Sequence, residues 1–129
     1  MPIETPLTLF LGKDQQFRHT VYASGTTLVQ IAAGTATPEN IAGFTLSWMV
    51  KTRLEDVDSR ALVTKAGTIT GTYGATQATN TQRALVTVDD TDTAHLKACD
   101  AFWELARTDA GFETVLAYGV LTLKSGVHR

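Results

Sequence analysis

The sequence predicts an all-β protein, an antiparallel β-sandwich of about seven to nine short strands with one short helical turn. Threonine is over-used, 22 of 129 residues, and β-branched side chains favour strands over helix interiors. Several segments alternate apolar and polar residues with a period of two, the signature of a half-buried strand. Turn-forming Gly, Asn, Asp and Ser recur roughly every ten residues, too often for long helices between the strands.

The elements follow in order. Residues 1–15 hold two prolines and the turn Gly12-Lys13-Asp14, which suggests a terminal arm or an edge strand around Leu7 to Leu11. Residues 16–129 then form one sandwich domain, a length that suits a single core. A polar-rich strand runs from Gln16 to Tyr22, framed by Phe17 and Val21, and Ser24-Gly25 turns the chain. Residues 28–33 read as the next strand, running into Gly34 and the loop Thr35 to Asn40.

The clearest alternation is Phe44 to Lys51. Phe44, Leu46, Trp48 and Val50 share one face, and Thr45, Ser47 and Lys51 the other, so this is a core strand. A polar loop, Leu54 to Arg60, leads to two short strands, Ala61 to Lys65 and Thr68 to Tyr73, split at Ala66-Gly67. After a loop from Gly74 to Gln82, Arg83 to Val88 returns to strand. The run Asp89-Asp90-Thr91-Asp92-Thr93 is rich in N-capping side chains, which places a helical turn at Thr93 to Lys97. Residues 98–107 fit either a helix, with Leu96, Cys99, Trp103 and Ala106 on one face, or a strand; the turn signal Thr108-Asp109-Ala110-Gly111 and the following strand, Val115 to Lys124, favour a strand from Ala101 to Arg107 that closes a hairpin. Gly119 inside the last strand marks a bulge or a place where Trp48 or Trp103 lies over the backbone.

Composition narrows the function. Eleven basic and thirteen acidic residues give a net charge of -2 with no basic run, which disfavours a nucleic-acid partner. No window approaches a membrane span, and the N-terminus lacks the charge and apolar length of a signal peptide, so synthesis in a cytoplasm is expected. A lone Cys99 forms no internal disulfide and no thiolate cluster, and is expected to be a buried small hydrophobe.

Candidate chemistry is sparse. His19, His95 and His128 lack a second ligand at metal spacing and are expected at the surface. Asp89, Asp90 and Asp92 resemble a calcium loop, but Ala94 and Asp100 stand where its glycine and glutamate belong; capping is the better account. Glu55, Asp56 and Asp58 form a polar loop flanked by Arg53 and Arg60. Ser24, Ser47, Ser59 and Ser125 sit in no nucleophile motif. On a helical turn, Cys99 and His95 would make a thiolate–imidazole pair at i, i+4, the basis of an enzymatic reading. Trp48, Trp103, Tyr73, Tyr22 and Tyr118 could line a sugar-binding face; the tryptophans fit the core better, leaving Tyr73 as the expected exposed aromatic. The residues thus assign no catalytic, cofactor-binding or metal site, and the chain is expected not to be an enzyme.

Three stretches also resemble a known family. They are Ile41 to Lys51, then Val86 to Thr93, and Phe102 to Gly111 leading into Ala117 to Leu123. Their order is similar to the immunoglobulin-like N-terminal domain of phage baseplate upper proteins and related small phage tail proteins. There a hydrophobic-x-Gly step opens a core strand, and a Trp-x-hydrophobic, Asp-x-Gly, Gly-x-hydrophobic hairpin ends the domain. The resemblance implies a non-enzymatic virion protein that docks to other phage structural proteins and to copies of itself. It transfers no catalytic residue and no cofactor. Such proteins usually continue into a longer C-terminal region, whereas this sequence ends at Arg129, so a connector or capsid-decoration role stands beside the fibre-carrying one. A carbohydrate-binding module is the alternative from a different class.

Overall fold

The strongest alternation in the sequence forms the middle of the sheet. In the computed structural model, which describes residues 4–53 and 61–125, β3 (Leu46–Lys51) buries Leu46, Trp48 and Val50 on one face. It is flanked antiparallel by β4 (Val63–Thr70) and β6 (Cys99–Arg107). With β1 (Leu7–Leu11), β2 (Gln15–His19), β5 (Arg83–Val88) and β7 (Thr114–Ser125), the sheet order is β1-β7-β6-β3-β4-β5-β2. The fold is all-β and sandwich-like as expected, with seven strands among the described residues in a sheet curled towards a barrel. One pairing is parallel, β1 alongside β7.

The curl occurs within β4. Its first half, Val63 to Gly67, pairs with β3, and its second half, Thr68 to Thr70, pairs with β5. The sequence reading splits this strand at Ala66-Gly67; the structure makes it continuous. A Cβ at Gly67 would lie 2.9 Å from Leu46 Cβ, so the glycine makes room for Leu46 rather than breaking the strand.

Residues 28–33 are also corrected, from strand to helix α1 (Leu28–Ala33). Both parities of this segment are apolar, so alternation could not orient it, and local capping decides. The Thr27 hydroxyl accepts from the Gln30 amide at 3.2 Å, the Gln30 side chain accepts from the Thr27 amide at 2.8 Å, and Gly34 ends the helix at φ 76°. These are the capping box and the left-handed C-cap. The second helical turn, α2 (Asp90–Thr93), starts three residues before its expected place.

The two layers meet through rings. Phe17 and His19 on β2 lie over Trp48 and Trp103, with centroids 5.4 and 4.6 Å apart respectively and planes within 20°. Leu9, Val86, Val88, Leu105, Leu121 and Leu123 complete the core. The exposed edge of β1 is blunted by Gln15, whose amide oxygen accepts from the Phe10 N–H at 2.9 Å while its nitrogen donates to the Phe10 carbonyl at 2.8 Å. An edge strand left bare is prone to foreign pairing.

Lys51, read as outward-facing and polar, is buried at 3% exposure. Its Nζ donates to Glu104 Oε1 across the β3–β6 pair at 2.6 Å. An ammonium leaves water only with such a partner.

Candidate functional site

Beyond His19 the chain of β2 continues as an extended segment. Ala23 N–H donates to the Thr37 carbonyl at 2.8 Å, Glu39 N–H donates to the Val21 carbonyl at 2.9 Å, and Tyr22 bridges Pro38. This pairing carries α1 out between its two arms. It also leaves a cleft of about 540 Å³ between residues 18–24 and the first residues of β7. Val21, Leu28, Ile31, Val115 and Leu116 supply apolar walls, and the buried rings of His19 and Trp103 also line it. The volume is in the range of ligand and peptide pockets.

β7 opens this cleft because it is longer than its partner on one side. β6 pairs with it from Thr114 to Leu123, whereas β1 covers only Leu121 to Ser125. Glu4 extends the parallel pairing to Tyr118, where the Thr5 N–H donates to the Tyr118 carbonyl at 2.9 Å. Gly119 lies directly under this crossing: a Cβ there would fall 1.9 Å from the Thr5 carbonyl oxygen and 2.8 Å from Trp103 Nε1. Trp103 Nε1 itself donates to the Thr5 carbonyl at 2.8 Å. Of the two tryptophans expected over Gly119, Trp103 is the one. The bulge in this hairpin lies elsewhere, between Leu105 and Ala106 of β6, opposite the extra residue Leu116.

His19 overturns its expected surface placement. It is 8% exposed, and its Nε2 has no hydrogen-bond partner among the described residues; neither has the buried Nε1 of Trp48. Burial lowers its pKa from 6.5 to about 4, so the imidazole is neutral near pH 7. The sequence held a usable signal, since Phe17, His19 and Val21 share one parity of the strand and both neighbours are apolar.

The other candidates do not come together. His95 is exposed in the turn after α2. Cys99 is exposed, not buried, because it stands at the first residue of β6, the least covered end of the strand. That strand position removes the helical spacing to His95. Asp89 caps α2, and Asp92 Oδ2 accepts from the Asp89 N–H at 2.8 Å. Lys65 Nζ lies 3.1 Å from Asp92 and 3.7 Å from Asp89. The Asp89 amide, then Lys65, hold the Asp92 carboxyl below its ordinary pKa. No group of three His, Cys, Asp or Glu that could hold a metal ion occurs among the described residues.

Trp48 and Trp103 are core residues, at 0% and 1% exposure. Tyr73, expected to be exposed, is half-buried, its hydroxyl donating to the Pro38 carbonyl at 3.3 Å. Tyr22 and Tyr118 are half-buried, Ser47 likewise, and Ser24 and Ser125 are exposed. Glu55, Asp56, Asp58, Ser59, Arg60 and His128 lie outside the described residues.

A polar knot lies on the turn joining β6 to β7. Asp109 accepts from the Thr45 amide at 2.8 Å, the Thr45 hydroxyl at 2.9 Å and Arg107 Nε at 2.8 Å, while the Arg107 guanidinium lies 3.9 Å over Phe44 and 4.6 Å over Phe112. The Thr45 amide first, then Arg107, lower the Asp109 pKa from 3.8 to about 2. The turn that leads into the cleft edge is thereby fixed. The cleft offers apolar contact, a strand edge unpaired among the described residues and a neutral imidazole, which are means of binding.

No protein-family model matches the chain, and neither a curated protein nor a solved structure matches it.

Proposed function

We propose that the chain is a non-enzymatic structural or adaptor protein of a phage tail or baseplate, working through contacts with other virion proteins and with copies of itself. The single observation that supports this most is the apolar surface around the cleft. Leu28 and Val29 on α1 are 64% and 78% exposed, α1 buries none of its residues, and Val115 at the opposite wall is exposed as well. A short apolar helix held out from a domain by its own caps has no use in the core; apolar surface left in water marks an interaction site. The near-neutral charge without a basic run fits protein partners better than polyanions. The glycan-binding alternative is weakened by the burial of both tryptophans.

Light scattering of the purified chain over a wide concentration range tests the reading. A symmetric oligomer is expected, and Leu28→Asp with Val29→Asp should return it to a monomer with an unchanged circular dichroism spectrum. A monomer at every concentration would overturn self-assembly. Absence of the chain from the proteins of purified particles of the encoding phage would overturn the virion role.

A further inference from the structure

We propose that the cleft receives one extended segment of a partner protein as an added strand, paired along β7 from Thr114 to Ala117. The inference rests on the assembly reading above and supplies its contact chemistry.

Among the described residues, β7 has a strand on both sides from Leu121 to Leu123 but only β6 beside Thr114 to Ala117. Across the cleft, the segment at Val21 to Ala23 is paired on one side, with Thr37 to Glu39. Backbone edges recognise another backbone in extended form, and they do so independently of sequence. At about 3.3 Å per residue, the open stretch of β7 accommodates some four residues of a strand. The parallel bridge of Glu4 to Tyr118 marks the near end of this stretch.

Side chains set the composition. In an added strand alternate residues face inward, here towards Trp103 and the uncharged His19, with Ile31 and Leu116 at the sides. Small or medium apolar residues belong at those positions and polar ones between them. The ionised residues lining the cleft are Arg18 and Glu39, one of each sign, which complement a segment with little net charge. The existing edge of β1 is blocked by Gln15; no corresponding side-chain plug occupies Thr114 to Ala117 among the described residues. The irregularity in this stretch is the bulge at Leu116, which an added strand would have to follow.

The probe is a synthetic peptide, acetyl-Lys-Thr-Val-Thr-Val-Thr-Lys-amide, titrated into the full chain with amide chemical shifts and hydrogen exchange as readouts. Saturable shifts confined to Thr114–Ala117 and Val21–Ala23, with amide protection rising at least tenfold there, are the expected result. The peptide N-methylated at alternate residues should lose binding, because it cannot pair through that edge. Leu28→Asp on the exposed wall should weaken binding about tenfold, while the shifts of residues in β3 show that the fold is intact. No saturable shift up to millimolar peptide would overturn the proposal. So would edge amides already protected in the free chain, which would assign the slot to the chain's own residues preceding Glu4. Failure here together with a symmetric oligomer in light scattering would leave the assembly reading standing; peptide binding by a chain absent from virions would do the reverse.

Discussion

Replacing Gly119 by alanine should unfasten the N-terminal segment from the sheet. The added methyl would stand 1.9 Å from the Thr5 carbonyl oxygen and 2.6 Å from its carbon, and backbone at that distance must move by more than 1 Å to restore ordinary contact, roughly 3.4 Å between such atoms. Two hydrogen bonds go with it: Thr5 N–H to the Tyr118 carbonyl, and Trp103 Nε1 to the Thr5 carbonyl. The first is worth about 1 kcal/mol, and the second leaves a buried donor unmatched at about 1–3 kcal/mol. Entropy lost from the unfolded chain on Gly→Ala returns about 0.5 kcal/mol. The net cost is about 1.5–3.5 kcal/mol, against a total stability of about 5–15 kcal/mol. Urea unfolding followed by circular dichroism measures this, and Tm should fall by about 10 °C. Tryptophan emission in the folded state should shift as Trp103 loses its partner. Combining Gly119→Ala with Trp103→Phe should cost less than the two changes summed, since the orphaned donor is then absent. A Gly119→Ala chain within 0.5 kcal/mol of the parent would refute the close approach, and with it the reason for a glycine in this strand.

Two further outcomes follow from buried charge. His19 takes its proton near 6.5 when unfolded but only at about 4 when folded, so the unfolded state binds it first as pH falls. Stability should therefore be insensitive to this group above pH 6.5 and should drop between pH 6.5 and 4 by about 3 kcal/mol in all. His19→Phe keeps the stack on Trp103, and the difference between its urea midpoints and the parent's should follow that curve; parallel pH profiles would contradict the burial. Lys51→Met should cost about 3–5 kcal/mol by stranding Glu104, and adding Glu104→Leu should restore most of it. A double-mutant cycle in urea with no coupling would show the 2.6 Å pair to be energetically idle.

Local pattern carried most of the strand assignments. Alternation located β3 because successive side chains on a strand point to opposite faces, a property of the backbone at each residue. Acidic residues at Asp89 and Asp92 announced a helix start, and a glycine amid β-formers announced the place where Trp103 crosses. These signals need only neighbours in sequence. The same kind of signal was present for α1 in Thr27, Gln30 and Gly34, but the apolar run between them reads equally as a strand.

The sequence by itself thus determined an all-β chain with tryptophans inside and a stiff, capped turn before β6. Tertiary structure alone decided that β1 runs parallel to β7, that His19 and Lys51 are buried, that Cys99 is not, and that β7 outruns β1 to leave an edge without a partner among the described residues. The reason is physical. Which face of a strand a residue occupies is fixed by the backbone around it. Whether that face or edge is covered depends on which distant strand arrives there and how far it extends.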